Sequence, residues 1–199
     1  MENQDLLTHV ITLFDSFEKW NAFIELSNSR GEIRRRYFDR LKSALVKSFI
    51  NDQTDWCFQP FNTEQYRWFL KEFGSESICL LWRVYDLVLW CNPQFTDVQK
   101  VKDLLNSPDY NTIFNCFETP DSQSFPNLHH FCEERHRFKF SDGNVYSAPD
   151  EENHEKLAWF AGNMTMEMVE QISTKIKRFQ TPEITSLLKE LNDKCKKPM

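Results

Sequence analysis

The stretch ICLLWRVYDLVLW, residues 78–90, decides the fold. Ile78, Leu80, Trp82 and Val84 alternate with Cys79, Leu81, Arg83 and Tyr85, and Leu87-Val88-Leu89-Trp90 follows. Alternation of this kind is the period of a β-strand. Because both alternating sets are largely apolar, the run reads as the centre of a sheet covered on both faces. Arg83 and Asp86 interrupt it, and it is too short to span a bilayer. The pattern leaves open whether Val84–Asp86 is a tight turn between two strands or part of one long strand.

Working outward, Trp56–Phe61 has an extended pattern ending near Pro60, and Arg137–Phe140, a Ser141-Asp142-Gly143-Asn144 turn and Val145-Tyr146 read as a hairpin. The rest reads as helix. Asp5–Leu26 places Leu6, Val10, Leu13, Phe14, Phe17, Trp20 and Ile24 at helical spacing. After a break at Asn28–Gly31, a second helix runs from Glu32 to Ile50, with Ile33, Tyr37, Leu41, Ala44 and Leu45 along one face. So short a break predicts an antiparallel helical hairpin. Thr63–Phe73 reads as a short helix closed by Gly74. Thr96-Asp97-Val98-Gln99 matches a capping box, and Pro108 sits where a helix restarts.

In the last third, Phe160, Met164, Met168, Ile172, Ile176 and Phe179 recur on one helical face, and Thr181-Pro182-Glu183 opens a final helix to about Lys194. The expected fold is therefore α+β. It is a helix-rich single domain over residues 1–199, with an N-terminal helical hairpin and C-terminal helices around a small, mostly antiparallel sheet. Residues 119–128, with Pro120 and Pro126, read as an internal loop.

Composition narrows the function classes. The 199 residues include 18 Phe, 6 Trp and 5 Tyr, which predicts a core built from rings with some left over for a partner-binding face. Only 4 glycines occur and none are clustered, so the glycine-rich loops that cradle nucleotide phosphates are excluded. The 6 cysteines contain no C-x-x-C pair, and the acidic start MENQDLLTHV is no export signal. Free thiols in a reducing, cytoplasmic setting with no membrane association are expected. The net charge of −6 argues against broad nonspecific nucleic-acid binding and suits a basic protein partner.

Two clusters carry candidate chemistry. On the second helix, Arg36, Arg40 and Lys47 fall in one stripe at about 100° per residue. They are the candidate partner- or phosphate-binding residues, and the Arg34–Lys47 helix is the one place where nucleic acid stays open as a ligand. The alternative reading is a solvated face paired with Glu32 and Asp39. The second cluster, His129, His130, Cys132 and His136, holds four zinc-capable side chains. Its spacing matches no standard zinc pattern, and no cofactor is the default expectation. Glu133, Glu134 and Lys139 lack the E-x-K triplet of a metal-dependent nuclease, and Ala158 stands where a His154-Glu155 metalloprotease helix needs its second histidine.

Two functions follow. The first is a non-catalytic intracellular protein-interaction module, such as an inhibitor, immunity or accessory protein. The alternative is a metal-assisted hydrolase, of nuclease type, using the His129–His136 region. No residue pattern marks a catalytic group.

Overall fold

The computed structural model describes residues 11–49, 54–118, 129–148 and 151–198. The internal loop expected at 119–128 lies outside them. The decisive stretch becomes two strands of a five-stranded antiparallel sheet. Its members lie side by side in chain order: β1 (Trp56–Pro60), β2 (Tyr66–Leu70), β3 (Cys79–Trp82), β4 (Asp86–Trp90) and β5 (His130–Arg135). Arg83–Tyr85 is the turn between β3 and β4, closed by Arg83 N–H donating to the Asp86 carbonyl at 2.8 Å. Central β3 is buried along its whole length, as its two apolar faces require. The β4–β5 register shifts between Val88 and Trp90, a bulge that re-aims the side chains near His130. The hairpin read near residue 140 is β6 (Arg137–Lys139) with β7 (Val145–Ser147).

Strand β2 corrects the expected Thr63–Phe73 helix. Tyr66, Trp68 and Phe69 suit a pleated surface, and β2 finds partners on both sides, with Phe58 opposite Trp68 and Trp68 opposite Leu80. Tertiary pairing overrides the local helix pattern. Gly74 still ends a turn, with φ +79° and its N–H on the Leu70 carbonyl.

The helices that lie wholly among the described residues are α1 (Phe17–Asn28), α2 (Arg30–Phe49), α3 (Val98–Leu105), α4 (Asn111–Phe114), α5 (Glu151–Asn163), α6 (Thr165–Lys177) and α7 (Pro182–Cys195). Pro108–Tyr110 is a short 3₁₀ turn leading into α4. Asp97 rather than Thr96 caps α3, accepting from Lys100 N–H at 3.1 Å. Thr181 caps α7.

The N-terminal pair differs from the expected hairpin. Ser29 alone separates α1 from α2, at φ −87° and ψ 0°. Ser29 N–H donates to Glu25 and Ile33 N–H to Ser29, so the helical ladder continues through the junction. One near-helical residue cannot reverse a chain. Helix α2 enters the core, and α1 runs on beyond it with none of its residues buried. The buried face of α2 is Phe38, Leu41, Leu45 and Phe49, turned from the expected line so that Ile33 is exposed.

Rings build much of the core. Trp68 and Trp82 are fully buried, each worth about 4–6 kcal/mol of gross hydrophobic stabilisation at 150–250 Å² of ring surface. Phe49 and Phe58 flank Trp68 at 5.3 and 5.0 Å, and Phe140 stacks on Phe160 at 3.9 Å. Helices α2 and α5 meet closely because Gly162 has no side chain. A β-carbon there would lie 2.2 Å from Tyr37 Cδ1. Buried Asn192 ties α7 to the sheet by accepting from Ile78 N–H at 2.9 Å. No described helix is long and apolar enough to cross a membrane.

Candidate functional site

Arg36, Arg40 and Lys47, singled out by their spacing, all line one groove of about 730 Å³ between α2 and α6. Successive turns of α2 supply Arg36, Asp39, Arg40, Ser43, Ala44, Lys47 and Ser48 to it, while α6 supplies Met166 and Val169. The stripe is about 16 Å long at 1.5 Å per residue. Its charges are held lightly. Arg36 pairs with Glu32 at 2.6 Å on an exposed helix surface, where water keeps such a pair weak and exchangeable. The Arg36 guanidinium beside Glu32 holds that carboxyl below its ordinary value. Arg40 donates to the Gly162 carbonyl at 3.3 Å and lies 5.6 Å over the Tyr37 ring. Asp39, the acid among the lining residues, is occupied by Lys42 at 3.2 Å. Among the described residues Lys47 has no acidic partner. Met166, 71% exposed, and small Ala44 add an apolar floor.

No residue of α1 lines that groove, and α1 carries a separate surface of its own. Phe17, Trp20, Phe23, Ile24 and Leu26 are all exposed, Phe17 by 76%. Phe14, Trp20 and Phe23 pack on one another with centroids 4.6–5.9 Å apart. Their periodic spacing is legible in the sequence, but spacing alone does not say whether a helix face meets the core or water. Met166 and Val169 escaped the sequence reading for a related reason: both lie off the Phe160–Phe179 line, and nothing local says which helix stands opposite them.

The His129–His136 cluster is not brought together as a ligand set. Among the described residues no three His, Cys, Asp or Glu side chains converge as a metal requires. His129 sits at φ +58°, just before β5. His130 turns Nδ1 to the Arg83 guanidinium at 3.3 Å, which can only donate, and burial with the Arg83 charge pushes its imidazole down to about 4. Cys132 is buried in the core. His136 stacks on Trp82 at 3.5 Å, and its Nε2–H donates to the Arg83 carbonyl at 2.7 Å. Burial holds its imidazole far below the ordinary value, against the pull of that hydrogen bond. Asp142 bonds Asn144, and His154 lies 3.4 Å from Glu64, so neither completes a cluster.

The carboxylates considered for a nuclease also separate. Glu133 and Glu134 point to opposite faces of β5. Glu134, 1% exposed, ion-pairs with buried Lys175 of α6, accepts from Glu118 N–H at 2.6 Å, and lies 3.5 Å from Arg178. Lys175, Arg178 and Glu118 continue into a depression of about 480 Å³ shared with Arg137, Lys139 and Glu170. This network joins residues from distant parts of the chain and left no local signature. The C-terminal lysines have ordinary partners, Lys189 on Asp55 at 2.9 Å and Lys197 on the Pro93 carbonyl at 2.7 Å. No protein family, curated protein or solved structure compared with this chain matches it.

Proposed function

We propose that this chain is a non-catalytic protein-interaction module, of the inhibitor, immunity or accessory kind, that works inside the cell. The observation that carries the reading is α1, a helix that buries none of its own residues while presenting Phe17, Trp20, Phe23, Ile24 and Leu26 together. Contiguous exposed apolar surface is unfavourable in water, and large rings dominate the cores of protein interfaces. The basic groove between α2 and α6 adds a second, charged surface. None of the six cysteines is joined in a disulfide and five of them are buried, which suits a reducing compartment.

The test is a photo-reactive phenylalanine analogue incorporated at position 20 of the full chain and irradiated in cells of its source. A discrete cross-linked protein is expected, lost when Phe17→Ser and Phe23→Ser are added. Because neither ring is buried, the double variant should keep the parent melting temperature. Adducts at position 20 no more frequent than at an exposed polar site such as Asn21 sink the reading.

A further inference from the structure

The α2–α6 groove combines features that select among ligands. Along α2, Arg36, Arg40 and Lys47 occupy positions i, i+4 and i+11, about 40° and 20° around the helix from the first, so their charges lie in one line. The floor beneath is apolar and compliant, with Ala44 admitting close approach and thioether Met166 exposed to be covered. An isolated phosphate or small anion would use the rim and leave that floor wet. A nucleic-acid backbone, charged at every residue, would also leave that floor uncovered and would bring far more negative charge to a chain of net charge −6 than a helix with three carboxylates. A third helix laid in the groove satisfies both parts, as ridges of one helix fill the valley between two others.

We propose that the groove receives an acidic amphipathic helix of a partner protein, with carboxylates spaced to meet Arg36, Arg40 and Lys47 and an apolar residue seated on Met166. Read antiparallel to α2, its acids stand at i, i+7 and i+11, one face of a helix. Arg36 exchanges its exposed Glu32 partner for the ligand's carboxylate, and Lys47 gains the acidic partner it lacks among the described residues. This inference rests on the interaction reading above and assigns the partner's chemistry at a second surface.

The experiment selects a randomised library of helix-forming peptides, roughly 16 residues and about 24 Å long, on the full chain. The library is counter-selected on an Arg36→Glu, Arg40→Glu, Lys47→Glu triple variant. All three side chains are exposed, so the variant should keep its fold, which circular dichroism and melting check. The expected outcome is enrichment of peptides with acids at i, i+7 and i+11 beside an apolar position. Their affinity should drop roughly thirtyfold or more on the triple variant and weaken as salt shortens the Debye length below about 8 Å. Enriched peptides without the acidic pattern, or ones bound equally by the triple variant, overturn the proposal. So does a DNA or RNA oligonucleotide that displaces the selected peptides from the groove. Since the three substitutions leave α1 untouched, failure here leaves the cross-link at position 20 to stand or fall alone.

Discussion

His136 shows how one side chain can couple this fold to pH. Its ring is stacked on Trp82 and fully enclosed, so protonating it would place a charge where water cannot follow, close to the positive charges of Lys175 and Arg83. The unfolded chain takes up a proton near the ordinary histidine value of about 6.5 that the folded chain refuses. Stability is therefore complete above about pH 7 and falls as pH drops through 6.5, by about 1.4 kcal/mol per pH unit for this one group. Urea unfolding at pH 8.0, 6.5, 5.8 and 5.2 should show that loss. In His136→Phe the slope should flatten by about one proton, while stability at pH 8.0 falls about 1 kcal/mol for the lost bond to the Arg83 carbonyl. An unchanged slope would mean that this ring is not what excludes the proton. The histidine is plain in the sequence. Its burial is not, because Trp82 and Arg83 reach it from 53 or more residues away.

Among the elements, α6 is the hinge of the arrangement. Met166 and Lys175 lie half a turn apart around it, so one side closes the basic groove while the other drives a lysine into the sheet. Lys175 and Glu134 are both under 7% exposed, so removing one charge leaves the other largely desolvated, with only the longer contacts to Arg178 or Glu118 to answer it. Glu134→Leu or Lys175→Leu alone should each cost about 3–5 kcal/mol in denaturant unfolding, and the double variant should recover most of it. Simple additivity of the two losses would show that the charges do not depend on each other. Helix α1 teaches the complementary lesson. Its apolar spacing resembles that of α2, yet α2 is buried and α1 is not. The difference lies in Ser29, whose near-helical geometry carries α1 past the body instead of folding it back.

At the scale of the whole molecule, one contiguous core runs from α2 through the sheet to α6 and α7, and the thiols report on it. Cys57 is half-buried, the other five are buried, and burial pushes the Cys91 thiol up to about 12 and Cys195 to about 11. A thiol reagent at neutral pH should modify one cysteine rapidly in the native protein and all six in denaturant. Several fast native thiols would contradict the packing described here. By itself the sequence determined what local periodicity can carry. This includes the β character of Ile78–Trp90, the hairpin of β6 and β7, the cap and span of the last helix, and the line of Arg36, Arg40 and Lys47. Tertiary structure alone decided that Tyr66–Leu70 is a strand, that α1 stays exposed, that the histidines near β5 part company, and that α6 turns a basic stripe into a groove. The reason is physical. Periodicity records how side chains project from their own backbone, whereas each of these outcomes depends on which surface, often a hundred residues distant, comes to lie against it.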